Sequence, residues 1–274
     1  MPPHSARAPH PRIRSGAGSP AARIPPSPRA RGEGRGEGPL ASRVLYRDGL
    51  ILVIDKPAGI AVHPGPGGGP DLESGFDALR FGLRHPPALA HRLDRDTSGC
   101  LVLGRHSKAL RRLGSLFAGG KVAKVYWAIV EGRPPRDEGR IETGLRKLTR
   151  GSGWRVVVDP TGRRAVTDYR VLGAAGGRAW LELRPRTGRT HQIRVHCAAL
   201  GCPVVGDPVY GRAGAKVPLL LHARAVTLPL HPAKPPIVVT APAPLPMLDA
   251  LARLGYDPAE EDRAESTQRG CCQG

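Results

Sequence analysis

The stretch Ala90-His91-Arg92-Leu93-Asp94-Arg95-Asp96-Thr97-Ser98-Gly99, followed at once by Cys100-Leu101-Val102-Leu103, decides how the rest of the chain is read. The apolar tetrapeptide reads as a buried strand. The polar segment before it, ending in a Ser-Gly turn signal, reads as a loop fixed to the edge of that strand. Loops held on a rigid scaffold are where chemistry concentrates. From His91 to Ser98 this loop carries two carboxylates, two guanidiniums, an imidazole and two hydroxyls. Asp94 is flanked by Leu93 and by Arg92 and Arg95, and nearby guanidiniums favour the ionised carboxylate that a nucleophile requires. A solvated charged loop accounts for the same residues equally well, so the decision rests on the remainder of the chain.

Composition narrows the class. The chain has 274 residues and a formal net charge of +19, with a pI near 10.9. It is long enough for one large domain or two small ones. Such a basic balance points to a polyanionic partner, either nucleic acid or an anionic membrane surface. No run of apolar residues reaches the length needed to cross a bilayer, and the first thirty residues lack the apolar core of a signal peptide. A cytoplasmic protein acting on nucleic acid is the leading expectation. The five cysteines, Cys100, Cys197, Cys202, Cys271 and Cys272, form no zinc-ligand spacing, and reduced thiols are the simpler account.

Residues 1–42 are rich in Pro, Arg, Gly, Ser and Ala and read as a disordered basic tail. They contain a low-complexity run, Arg29 to Gly38. The expected folded domain covers 43–256, and 257–274 reads as a second disordered tail. Within the domain, Asp48-Gly49 between two apolar runs signals a hairpin. The loop Gly65–Pro70 lacks the Gly-Lys-Ser/Thr of a phosphate-binding P-loop. The pattern predicts a helix through Phe76, Leu79 and Leu83, and a second one capped by Ser107 with Leu110, Leu113 and Phe117 on one face. A strand is expected in 121–132, with Tyr126, Ala128 and Val130 on one face and Trp127 and Ile129 on the other. The segment 133–153 reads as polar and turn-rich. Strands follow at 154–158, 165–172, 178–184, 219–228 and 236–240, and a short helix near 247–254 closes the domain. The fold class expected is α+β, a mixed and mainly antiparallel sheet with flanking helices and a central cleft.

A second dense stretch is Arg186-Thr187-Gly188-Arg189-Thr190-His191-Gln192-Ile193-Arg194-Val195-His196. Thr190 is expected to cap a helix with Ile193, Cys197 and Leu200 as its apolar face and Gly201 as its stop. Gln192 and His196 share another face. A helix entrance with Arg189 beside it suits an anion such as RNA phosphate, although an ordinary basic surface helix has the same pattern.

These motifs, taken in order, resemble the RNA pseudouridine synthases of the RluA branch. The resemblance spans 44 to about 246 and rests on ILVIDKPAGIAVHP, AHRLDRDTSGCLVL, AKVYWAIVEG, RTGRTHQIRVHCAALGCPVVGDPVYG and LLLHARAVTLPL. It implies a cofactor-free and metal-free isomerisation of uridine in ribosomal or transfer RNA, in which the N-glycosidic bond breaks, the uracil turns and carbon five bonds to the sugar. By residue matching, Asp94 is the essential carboxylate, attacking the sugar or assisting glycal formation. Arg194 is the basic residue that pairs with it, and Tyr126 the aromatic residue that stacks on the target base. Arg92 matches the arginine that fills the gap left by the flipped uridine. Arg189 and His91 are expected to contact RNA or fix loops, and Asp96, Thr97 and Ser98 to brace the catalytic loop. A monomer is the default expectation. Three other classes compete: a catalytically silent RNA-binding protein on the same fold, a membrane-surface protein, and a glycosidase using Asp94 with Asp96. The intact set of Asp94, Tyr126 and Arg194 argues against the first. The second needs an amphipathic helix that no segment supplies, and two carboxylates in one tight loop do not flank a sugar.

Overall fold

The structure is a computed structural model that describes residues 40–64, 69–151, 153–212 and 217–259. A 3-10 turn, Leu40–Arg43, opens the described chain and packs Leu40 and Ala41 against buried side chains. The rest of the N-terminal tail, and the C-terminal tail from 260 on, lie outside the described residues. β1 (Val44–Arg47) and β2 (Ile51–Lys56) form the expected hairpin. At its turn Asp48 Oδ1 accepts the Leu50 and Ile51 N–H groups, each at 2.7 Å, which is why a short acidic side chain sits there. A two-residue strand β3 (Ala88–Leu89) and the buried β4 (Ser98–Gly104) bracket the polar loop. Then come helix α1 (Ser107–Ala118) and strand β5 (Ala123–Glu131).

Strands β6 (Glu138–Arg150), β7 (Gly153–Val158), β8 (Arg163–Ala175) and β9 (Arg178–Pro185) make an antiparallel array. Helix α2 (Gln192–Ala199) follows, then β10 (Leu221–Leu228), β11 (Ile237–Thr240) and α3 (Leu245–Ala252). Together the strands form a single sheet in the order β1-β2-β4-β10-β5-β9-β8-β6-β7, with β3 on β4 and β11 on β10. Among the described strands only β4 and β10 pair in parallel, so the mixed, mainly antiparallel α+β expectation holds.

Alternation sorts the side chains onto two faces. Tyr126, Ala128 and Val130 of β5 meet Ile193 and Cys197 of α2, whereas Trp127 and Ile129 meet Met247 and Leu251 of α3. In β2, Leu52 and Ile54 pack with Leu93 of the polar loop, while Ile51 and Val53 pack with Leu113 of α1. Tyr126 touches both clusters of the first face. The catalytic-loop candidate and α2 therefore lie on one side of the sheet, with Tyr126 between them.

Four local expectations change. The helix expected through Leu83 is a 3-10 helix ending at Leu79, and Leu83 is exposed. The cap of α1 is His106, whose ring accepts the Ala109 N–H, so Ser107 is already helical. Thr190 does not cap α2; His191 holds that position, with φ 52° and ψ 17°. Finally, most of 133–153 is the thirteen-residue strand β6, not a turn-rich connection. Its polar face is written in cross-strand charge pairs, Arg140 with Asp168 and Arg164 with Glu142, each at 2.6 Å. Exposed pairs of this kind are worth less than about 1 kcal/mol. Burial of Ile141 and Leu145 on the other face, about 1.5–3 kcal/mol each, holds the strand.

Candidate active site

The loop that carries Asp94 is fixed from below by a buried lysine. Lys56, at the end of β2, has no solvent exposure. Its Nζ donates to the carbonyls of Pro57 at 2.8 Å, Arg95 at 2.8 Å and Thr97 at 3.0 Å. An ammonium has three protons, and here each has an acceptor. Burial pulls its pKa down to about 8, against the opposing pull of Asp96, Asp94 and Asp55, so at neutral pH it remains charged and donates all three bonds. The Thr97 N–H closes a turn onto the Asp94 carbonyl at 3.2 Å, and Gly59 N–H donates to the Arg95 carbonyl at 3.0 Å. Ser98 Oγ meets His222 Nδ1 at 2.9 Å. The loop is thus braced through the Thr97 backbone and the Ser98 hydroxyl, where side-chain bonds from Asp96 and Thr97 were expected as well, and Asp96 adds its charge beside Lys56. Gly99 is required by space and by backbone alike: its φ is 104°, and a Cβ would fall 2.3 Å from the Ala223 carbonyl oxygen across the parallel pair.

Lys56→Met keeps the apolar stem and takes the charged donor from three carbonyls, of which Arg95's keeps the Gly59 N–H. The expected cost is about 2–3 kcal/mol of stability, because buried acceptors lose a charged partner. Urea unfolding of the variant beside the parent checks it.

Helix α2 brings the second half of the site. Its entrance is built by Gln192, which is buried and folds back on the preceding turn. Gln192 Oε1 accepts from Arg189 N–H at 3.0 Å and Thr187 Oγ1 at 2.7 Å. Its Nε2 donates to the Val166 carbonyl at 3.0 Å and Thr167 Oγ1 at 2.9 Å. While the cap residue His191 makes no side-chain capping bond, this network ties the helix entrance to β8. It aims Arg194 into the molecule, where its side chain is 5 % exposed.

Arg194 binds Asp207 in a two-pronged pair, Nε to Oδ2 and Nη2 to Oδ1, both at 2.7 Å. Its third nitrogen, Nη1, lies 3.5 Å from Asp94 Oδ2. The expected Arg194–Asp94 pairing is therefore present, but as the looser of two contacts. Burial works to raise the Asp207 pKa; the Arg194 hydrogen bonds and charge, with the Tyr210 and Val209 amides, outweigh it and hold the carboxyl below its usual range. His191 Nε2 approaches the same Asp94 Oδ2 at 3.8 Å.

These groups open onto a cleft of about 450 Å³ whose lining includes Leu93, Asp94, Tyr126, Ile193, Arg194 and Leu221. Burial first, and the Asp94 charge second, push the Tyr126 hydroxyl far above the ordinary tyrosine value, so it stays neutral. Arg92 is exposed on the cleft wall. Arg189 also lines the cleft and is tied by Nε to the Arg164 carbonyl at 3.2 Å. His91 lines the cleft but serves as a loop fixture: its Nε2 accepts the Val102 N–H at 3.0 Å and its ring stacks on Phe117 at 4.7 Å. Burial, with the nearby Lys124 charge, lowers its pKa to about 3. Asp207, Lys56, His191 and Tyr210 escaped the sequence reading. Asp207 and Lys56 do lie within two of the quoted motifs, VVGDPVYG and ILVIDKPAG, but nothing local marks either as a site residue.

The site unites a polar loop carboxylate, a buried guanidinium and an aromatic ring in one cleft large enough for a nucleoside. The sequence profile of the RNA pseudouridylate synthase family matches residues 50–199. An uncharacterized RNA pseudouridine synthase of Zymomonas mobilis is 46 % identical over 221 residues, covering 79 % of this chain and 99 % of its own length. The ribosomal large subunit pseudouridine synthase D of Borreliella burgdorferi is 36 % identical over 191 residues, covering 66 % of this chain and 59 % of its own. Among solved structures, human RNA pseudouridylate synthase domain containing 4 superposes with a TM-score of 0.67 at 28 % identity, covering 78 % of this chain and 94 % of that one. The chain is a pseudouridine synthase, and it belongs to the RluA branch of that family. Its reaction is the conversion of uridine in RNA to pseudouridine.

Proposed function

We propose that the chain, acting as a monomer, modifies specific uridines of ribosomal or transfer RNA with Asp94 as its catalytic carboxylate. One observation carries this reading: the Asp94 carboxylate stands in the cleft with Oδ2 facing Arg194 at 3.5 Å, in a cavity that Tyr126 also lines. A carboxylate so held is oriented and placed where water is partly excluded, as attack on a sugar carbon or removal of a sugar proton demands. Tyr126 stacks on the uracil while it turns. Arg92, exposed at the cleft wall, enters the RNA stack where the uridine leaves; a flat guanidinium offsets part of the few kcal/mol that base flipping costs. Arg189 contacts phosphate, and the +19 charge draws the polyanion in.

The test is a pseudouridine map of total RNA, by carbodiimide labelling and reverse-transcription stops, from cells with the gene, without it, and with a copy lacking the Asp94 carboxylate. Stops that vanish without the gene and return only with the intact carboxylate identify enzyme and target together. An unchanged map with retained RNA binding leaves a binding protein on the same fold and overturns the assignment of Asp94.

A further inference from the structure

We infer that His191 is a positioning residue for Asp94, a neutral second donor that shares Oδ2 with Arg194 and leaves Oδ1 to face the sugar; this rests on the reading of Asp94 given above. Both nitrogens face the same oxygen, Arg194 Nη1 at 3.5 Å and His191 Nε2 at 3.8 Å, longer than hydrogen bonds in the free protein and shortening to them when substrate fills the cleft. Two donors on one oxygen fix the plane of a carboxylate, which one donor alone does not.

The backbone and the neighbours of His191 are built for this. His191 is one of two non-glycine residues with positive φ among the described residues, at 52°, a conformation uncommon for a residue with a Cβ. Such strain persists where the surroundings impose it. The ring is then locked on three sides: it stacks on Trp154 at 4.9 Å, meets Tyr210 edge-on at 5.6 Å, and its Nδ1 lies 2.8 Å from the Tyr210 hydroxyl. That hydroxyl already accepts the Val156 N–H at 2.9 Å. With one lone pair so occupied, the arrangement we infer has the hydroxyl donate its own proton to His191 Nδ1, which puts the ring proton on Nε2, on the side of Asp94. Tyr210 is in this way the group that sets the tautomer.

The charged groups facing the ring are Asp94 and Arg92 from the β3–β4 connection, Arg194 on its own helix and Asp207 from the loop after it. From the β6–β7 side it meets Trp154, with Lys147 Nζ 4.5 Å above that indole. Burial, with Arg194 and Arg92, outweighs Asp94 and Asp207 and lowers the imidazole pKa, so the neutral form persists at working pH.

The experiment compares the parent with His191→Phe, His191→Gln and Tyr210→Phe on one target RNA in single-turnover and steady-state assays across pH. Asp94→Asn serves as the control, and thermal melting and RNA affinity are measured for each chain. His191→Phe keeps the stack on Trp154 and loses the donor; kcat is expected to fall about 10- to 100-fold, as for loss of a hydrogen bond to a charged group, with KM within about threefold. His191→Gln restores an N–H near the Nε2 position and recovers most of kcat. Tyr210→Phe frees the tautomer, so Nε2 turns a lone pair to Asp94 in part of the population. Its rate relative to the parent is expected to stay level at neutral pH and to climb only as pH falls below the ordinary imidazole value of about 6.5, because protonation, delayed by the lowered pKa, returns the Nε2 proton. A purely structural His191 would move melting or KM and leave that pH ratio flat. Equal kcat for His191→Phe and the parent, with Asp94→Asn inactive, overturns the inference alone; an active Asp94→Asn overturns the underlying reading.

Discussion

Asp94→Asn is expected to lower single-turnover pseudouridine formation by at least about 10⁴-fold, the scale seen when the central member of a catalytic set is removed. The substitution is nearly isosteric. The side-chain carbonyl of the asparagine can still face Arg194 and His191, which lie 3.5 and 3.8 Å from the native oxygen. The Thr97 N–H still closes its turn on the backbone carbonyl of position 94. Arg194 keeps its two-pronged partner Asp207, so the change orphans no buried cation. Stability and RNA affinity should therefore move little. What disappears is the negative charge and the oxygen able to form a bond or take a proton. Mixing the variant with target RNA and counting pseudouridine against time, with a melting curve on the same sample, separates the two effects. Loss of activity together with loss of folding would deny the carboxylate its special role.

The loop around Asp94 was legible because its chemistry is local: a dense run of charged and hydroxyl residues before a buried strand announces a site in any fold. Tyr126 and Arg194 were legible through motif matching; alternation also put Tyr126 on the face that meets α2, whereas the helical period alone left Arg194 to the side of the helix. The partners that make the site rigid were not. Lys56 reaches carbonyls 39 and 41 residues away, and nothing in an Ile-Asp-Lys-Pro strand end says that its ammonium points inward. Asp207 stood in a turn-rich run, Gly206-Asp207-Pro208, where an aspartate is ordinary turn chemistry; only the fold brings it to Arg194. The cap of α2 failed for a related reason. Thr190 satisfies the local rule, but the helix starts after His191, with Gln192 held by contacts with β8, including Val166 and Thr167, which no local rule contains. Strand β6 was missed because its buried positions, Ile141 and Leu145, lie four apart among charges that pair across the sheet. Its polarity reflects cross-strand partners, not exposure of the backbone.

Asp207→Asn is expected to cost about 3–5 kcal/mol of folding stability, the range for breaking a buried ion pair by removing one partner. Asp207 is 0 % and Arg194 5 % exposed at the side chain, so the guanidinium cannot reach water and is left with Asp94, 3.5 Å away, as its carboxylate partner. The asparagine side chain would retain one carbonyl oxygen for the Val209 and Tyr210 amides, but it would turn an amide N–H₂ against the guanidinium where two oxygens now accept. Urea unfolding at pH 7 measures the loss. The pH dependence supplies a second, sharper check. The Asp207 carboxyl sits below its ordinary value in the folded protein, so its contribution is fully present above the unfolded carboxyl pKa of about 3.9. That contribution drains away as pH falls from there through the folded value, because over this window the unfolded chain takes up its proton before the native state does. Parent and variant stability curves should therefore run apart by a constant amount above about pH 5 and converge below about pH 4. Curves that stay parallel to low pH would place the stabilising role of this contact elsewhere than in the charge of Asp207. An activity loss is expected as well, since Arg194, without its anchor, is drawn from its 3.5 Å separation onto Asp94 and occupies the carboxylate that the reaction needs free.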